Sequence, residues 1–207
     1  MKTRKLVCGI GINDADYAVV EFETIVVNGK QKQKRTWICP FYQVWANMIN
    51  RCYSFKTQER QPTYRGCSVT EEWKTFSVFK NWMMTQDWED KQLDKDLLIE
   101  GNKVYGPETC VFVTRIVNKF TNDQGAARGD CLIGVVWHKP AGKFQSRCRN
   151  PFTKKGEHLG YFTCELEGHK AWLKRKLELA YELAEIQTDA RVAEALIERY
   201  SKYKTNN

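Results

Sequence analysis

Asp94, Lys95 and Asp96 crowd one end of LDKDLLIEGNKVYGPETCVFVTRIVNKF, residues 93–120. Two carboxylates this close can share a Mg²⁺ ion whose bound water is acidified, and an ammonium between them can steady charge on a phosphate while another group takes the proton. Lysine itself is a poor base, because an exposed amine holds its proton up to a pKa of about 10.4. Asp96, Glu100 and Lys103 also make an acidic-plus-lysine set of a kind nucleases use; the plainer alternative is a group of surface charges beside a turn. A second stretch, KFQSRCRN, spaces Lys143, Gln145, Arg147 and Arg149 two apart, which puts all four on one face of a strand and Phe144, Ser146 and Cys148 on the other. Arginine pairs bidentately with guanine, glutamine pairs with adenine, and a β-ribbon fits the major groove, so this row suits the reading of duplex DNA. An ordinary solvated sheet face is the alternative, although such faces usually mix signs. From Arg128 to Gly160 the seven basic residues (Arg128, Lys139, Lys143, Arg147, Arg149, Lys154, Lys155) face only Asp130 and Glu157, so most of the chain's positive excess lies here.

The elements that must position these residues follow from periodicity. KLVCGIG, YAVVEFETIVV and, after the turn at Asn28-Gly29, KQKQKRTWIC read as an antiparallel sheet over residues 5–39. Its tip carries Lys30, Lys32, Lys34 and Arg35, a solvated hairpin or a phosphate-contacting arm. Pro40 suits a helix start, and Phe41, Val44, Trp45, Met48, Ile49 and Cys52 recur on one helical face. Residues 53–67 have no apolar period and read as a loop; Ser68 and Glu71 fit a capping box before a second helix bearing Trp73, Phe76, Phe79, Trp82 and Met83. Residues 93–120 read as a β-hairpin running into a helix, and the Gly/Asn/Asp-rich 121–131 reads as a linker. Beyond it come strand IGVVWH, turn KPAG, strand KFQSRCRN, strand HLGYF and a helix from about Glu165 with Leu173, Leu177, Ala180, Leu183 and Ala184 on its stripe. Thr188-Asp189 can cap a last helix holding Val192, Leu196, Ile197 and Tyr200.

Composition bounds the possibilities. With 207 residues, 42% hydrophobic, 13% aromatic and seven Trp, the chain can bury real cores in one to three small modules. A net charge of +8 favours a polyanionic partner without demanding one. Eight cysteines never form a CxxC pair and only three histidines are present, so no zinc site is expected. No signal-peptide pattern follows Met1 to Arg4 and no run of apolar residues suits a membrane span, so a reducing, cytoplasmic setting is expected, with cysteine serving as a small buried apolar residue.

IGVVWHKPAGKFQSRCRN followed by HLGYFTCELEGHKAW resembles the AP2 DNA-binding domain at Gly134, Val135, Trp137, Gly142, Lys143, Phe144, Leu159, Gly160, Phe162, Ala171 and Trp172. The resemblance implies a three-stranded sheet backed by a helix, with Trp137, Lys143, Arg147 and Arg149 in a DNA groove; Gln145, from the alternating row, and Lys139 join them as candidate DNA contacts. His158 and Gly168 depart from the family's usual residues in a way that weakens packing. LDKDLLI and ETCVFVT resemble strands of the HNH (ββα-metal) nuclease motif: Asp94 matches its aspartate and Asn118 its closing asparagine, while Lys95 stands at the catalytic histidine and Thr109 at the middle asparagine. With WANMINRCY and EEWKTFSVFKNWM, the whole chain resembles bacteriophage HNH or homing endonucleases with an AP2 tail. The implied organisation is α+β in small modules: 1–90 an N-terminal antiparallel sheet with two helices, 91–122 a degenerate HNH-like ββα segment, and 123–207 the AP2-like domain with C-terminal helices. The implied function is recognition of double-stranded DNA in a host cytoplasm, with Mg²⁺-dependent cleavage through Asp94, Lys95, Asp96 and Asn118, Asp94 and Asp96 holding the metal. The alternatives are an inactive DNA-binding regulator or host-takeover factor, and an N-terminal module that binds a protein partner; oligomeric state is left open.

Overall fold

The valines and isoleucines of VEFETIVV favour an extended chain and Asn28-Gly29 closes it, giving the antiparallel hairpin β1 (Val20–Val27) and β2 (Lys30–Ile38). The structure, a computed structural model, describes residues 6–122 and 130–201, so the core of the expected linker, 123–129 with Arg128, lies outside the described residues. Among those described it is mixed α+β, with six α-helices and small sheets of two or three strands. It divides into two compact units, Met1–Glu89 with Gly101–Phe112, and Asp90–Glu100 with Val113–Asn207. Of the segment 91–122, residues 101–112 fall in the first unit and the remainder in the second.

In the first unit the described part of the expected strand over 5–11 is instead a tight turn at residues 7–11 in which Val7 bridges Gly11, because Cys8 adopts a left-handed φ of 51° that folds the chain back; Lys5 lies outside the described residues. Helix α1 (Pro40–Tyr53) starts at its proline and buries Trp45, Met48, Ile49 and Cys52. Ser54 then caps a short helix, α2 (Phe55–Arg60), accepting from the Thr57 N–H. It buries nothing, which is why no hydrophobic period announces it. Ser68 begins no helix but sits in β3 (Ser68–Val69), paired in parallel with β5 (Val104–Tyr105). Helix α3 (Phe76–Met84) takes its cap from far away: the Asp14 carboxylate accepts from the Ser77 N–H at 2.9 Å and from its hydroxyl. The core is aromatic, with Trp45, Trp73, Phe76 and Phe79 wholly buried and the Trp45 indole N–H donating to the Trp73 carbonyl at 2.8 Å. Each such side chain contributes about 1.5–3 kcal/mol through burial.

The second unit contains β4 (Gln92–Asp94), α4 (Arg115–Thr121, after strand β6, Val111–Val113), and an antiparallel sheet in the order β7 (Val135–His138), β8 (Lys143–Arg149), β9 (Gly156–Phe162). Helix α5 (Glu165–Glu185) backs that sheet and α6 (Ala190–Ser201) packs on α5. The stripe expected on α5 is buried at Leu177, Ala180, Leu183 and Ala184, and the buried face also includes Trp172, Lys176 and Leu179. Lys176 is nearly enclosed: its ammonium donates to the Phe120 carbonyl and lies 3.7 Å from the centroid of the Phe120 ring, with Tyr200 and Trp172 around it. Ring faces, that carbonyl and the Tyr200 hydroxyl, which accepts from the ammonium at 3.4 Å, stand in for water there. Gly168, a departure expected to loosen packing, instead lets the helix approach closely: a Cβ would meet Val135 at 3.3 Å, and the buried Ser146 hydroxyl donates to the Gly168 carbonyl at 2.7 Å.

Candidate nucleic-acid interface

Opposed residues in an antiparallel ladder share a face, so register decides which side chains meet. Val135–Ser146–Gly160 and Trp137–Phe144–Phe162 form rows across the three strands. They lie on the side of α5, where Val135, Ser146 and Cys148 are buried. The other face carries Val136–Gln145–Tyr161, His138 opposite Lys143, Arg147 opposite His158, and Arg149 opposite Gly156. Lys143, Arg147 and Arg149 are exposed on it, and Lys139 is exposed in the turn at Lys139–Ala141. Among the described residues none of these four cations takes part in an ion pair. At the centre the Gln145 amide donates to the Tyr161 hydroxyl at 3.4 Å and lies 3.3 Å from His158 Nδ1. The His138 and His158 rings pack within 5.1 and 4.8 Å of the Tyr161 ring.

A bulge controls this face. Ser146 pairs with Gly160 but Arg147 pairs with His158, so one residue of β9, Leu159, is passed over, and Gly160 supports the kink with a φ of +134°. Without the slip the parity of the strand would place Glu157 among the cations. With it, Glu157 opposes the buried Cys148 and turns to the helix side, where the Arg175 guanidinium holds it through Nε at 2.7 Å and Nη2 at 3.3 Å and the Asn150 amide donates at 2.7 Å. Arg175 foremost, then Asn150, holds the Glu157 carboxyl below the usual carboxylate range.

The structure thus gathers Lys143, Gln145, Arg147 and Arg149 as the alternation requires. It does not bring Trp137 with them. Trp137 stands on the opposite face against Phe144, ring centroids 4.9 Å apart, half exposed because β7 is an edge strand. His138, His158 and Tyr161 join the face unanticipated; Tyr161 could have been found by alternation, whereas His158 depends on a bulge that composition does not announce.

Asp94, Lys95 and Asp96 form a different kind of site. One oxygen of Asp94 accepts from the Asp96 N–H at 3.0 Å and the Leu97 N–H at 2.8 Å, which closes a turn just past β4. Burial foremost, then the charge of Asp96, pushes the Asp94 carboxyl above the usual range despite those donors. Lys95 is not the exposed amine the sequence suggests: it is 7% exposed, and its ammonium donates to Asp96 at 3.0 Å. Burial acts to raise the Asp96 carboxyl, but the hydrogen bond and charge of Lys95 outweigh it and hold it low. The Asn118 amide donates to Gln92 at 2.7 Å. A Mg²⁺ ion asks for ionised oxygens in an open octahedral arrangement. Here one carboxylate is largely enclosed and already accepts from two backbone N–H groups, the other is taken by an ammonium, and among the described residues no three His, Cys, Asp or Glu side chains gather to hold an ion. The residues do not fit the metal.

Compared with family models, curated proteins and solved structures, the chain matches none. Among the described residues no helix is long and apolar enough to cross a membrane.

Proposed function

We propose that the chain binds duplex DNA through the outer face of β7–β9, as an AP2-like domain would, and that it descends from HNH-type endonucleases without keeping their metal chemistry. One observation carries the reading: three exposed, unpaired cations and a glutamine amide in one row on β8, with the acidic residue of β9 turned away to Arg175. Three strands span about 10 Å of sheet, against a major groove about 12 Å wide, so the face can lie along the groove with its side chains directed at base edges. Lys139 and Lys143 suit phosphates as compact charges. Arg147 and Arg149 offer planar forks, and Gln145, steadied by Tyr161 and His158, presents an amide in a fixed orientation. The turn at Asp94 to Asp96 serves the fold, with Lys95 as an internal counter-ion.

Titrating full-length protein into a labelled duplex, with and without Mg²⁺, tests both halves. Saturable binding that weakens steeply with salt and leaves the duplex intact is expected. Absence of binding at 50 mM salt would end the DNA reading, and Mg²⁺-dependent nicking lost in Asp94→Ala would restore the endonuclease.

A further inference from the structure

Gln145 stands at the centre of the outer face of β7–β9 with both protons of its amide engaged. Its Nε2 donates to the Tyr161 hydroxyl at 3.4 Å and lies 3.3 Å from His158 Nδ1, which accepts when the ring is neutral and carries its own proton on Nε2. The carbonyl oxygen Oε1 has no partner among the described residues. The bulge makes this arrangement: with Leu159 passed over, His158 comes to the face beside Gln145, its ring 4.8 Å from that of Tyr161. A glutamine free to turn reads adenine with both ends of its amide, but one whose N–H groups are taken offers a base edge an acceptor alone. In the major groove the partners of a lone acceptor are the exocyclic amines, N6 of adenine and N4 of cytosine.

Protonation of His158 reverses the offer. Once Nδ1 bears a proton from solvent the ring accepts nothing, and the hydrogen bond is recovered when the amide turns over, Oε1 accepting from Nδ1 and Nε2 pointing outward. A lone donor favours guanine and thymine, whose O6 and O4 stand where the amines of adenine and cytosine stood. The groups facing His158 are Arg147, opposite it on β8, with Gln145 and Tyr161; Lys143 and His138 stand farther along the face, and Glu157 is turned away to Arg175.

We propose that His158 and Tyr161 determine which base Gln145 reads: the amine of an adenine or cytosine while His158 is neutral, and the carbonyl of a guanine or thymine once it is protonated. The inference rests on the reading that the outer face of β7–β9 binds duplex DNA. Contacts from Arg147 and Arg149 fix the register and the strand, so the change is confined to the base beneath Gln145. Histidine is the side chain whose charge changes between about pH 5 and 8, which places the reversal within the range of a binding assay.

The test incubates the full chain with a randomised duplex library at about pH 8 and at about pH 5.5 and sequences the bound duplexes. At the higher pH one position is expected to favour adenine or cytosine over guanine or thymine by about fivefold, the effect of a single hydrogen bond. At the lower pH the preference at that position should reverse while its neighbours keep theirs. Gln145→Ala should level the position at both pH values. Gln145→Glu, which has two acceptors and no N–H, should favour adenine or cytosine at both. His158→Phe keeps a ring against Tyr161 and leaves His138 in place, so it should abolish the reversal. A reversal that survives in His158→Phe would overturn the inference, as would a wild type with the same preference at both pH values. In that last case, base preferences that disappear in Arg147→Ala with Arg149→Ala would leave the sheet reading standing without the inference. If the wild type binds no duplex at either pH, both fall.

Discussion

Asp94 shows how one carboxylate can do structural work that a family resemblance assigns to a metal. Its oxygen closes a turn by accepting two backbone N–H groups, and its folded pKa lies above the ordinary value through burial and Asp96. The stability it contributes is therefore full when it is protonated and is lost as pH rises through the raised folded value. Asp94→Asn keeps the acceptor and removes that loss, so it should equal or exceed the wild type in urea unfolding at pH 7, with the gap closing toward pH 4. Asp94→Ala should lose about 1–2 kcal/mol, since it strands both N–H groups. Glu157 has the opposite sign. Its folded pKa is depressed by Arg175 and Asn150, so its contribution is present above the ordinary carboxylate value and disappears as pH falls through the lower folded one. Solvent at this surface pair keeps the gain under about 1 kcal/mol. Thermal melts of Glu157→Gln should show a flatter decline below about pH 4.5 than the wild type, an expectation set by the unperturbed carboxylate value.

At the scale of elements, Gly134 and Gly160 set the sheet, Gly160 through the bulge in β9. Gly134 enters β7 with a φ of +82°, and a Cβ there would overlap the Trp172 ring. Gly134→Ala should cost about 3 kcal/mol or more in chemical denaturation, because both backbone and ring must move. Strands β7, β8 and β9 and helix α5 were legible in the sequence, since an alternating face and a helical stripe are local patterns. The row Lys143, Gln145, Arg147, Arg149 was legible for the same reason. Trp137 was misplaced because a family's contact was carried over without the register, and His158 was missed because a bulge reverses parity beyond Arg147. Helix α2 has no buried face to announce it, and the cap of α3 comes from Asp14, which no local pattern of the Ser68–Glu71 kind can reveal. Lys95 reads as a surface charge in the sequence, and only the packing around it decides otherwise.

At the scale of the whole molecule, the +8 charge is spent unevenly: the outer face of β7–β9 keeps its cations free while Glu23, Glu157 and Asp189 are each matched by a neighbouring base. Binding to duplex should therefore depend on salt more than on any single base pair. Each phosphate released from contact is worth about 0.9 in the slope of log affinity against log salt. The most direct measurement is that slope for the wild type and for Arg147→Ala with Arg149→Ala on the same duplex. The account predicts at least a tenfold loss of affinity and a slope smaller by about 2, with the fold retained by circular dichroism. An unchanged affinity and slope in the folded double variant would contradict it.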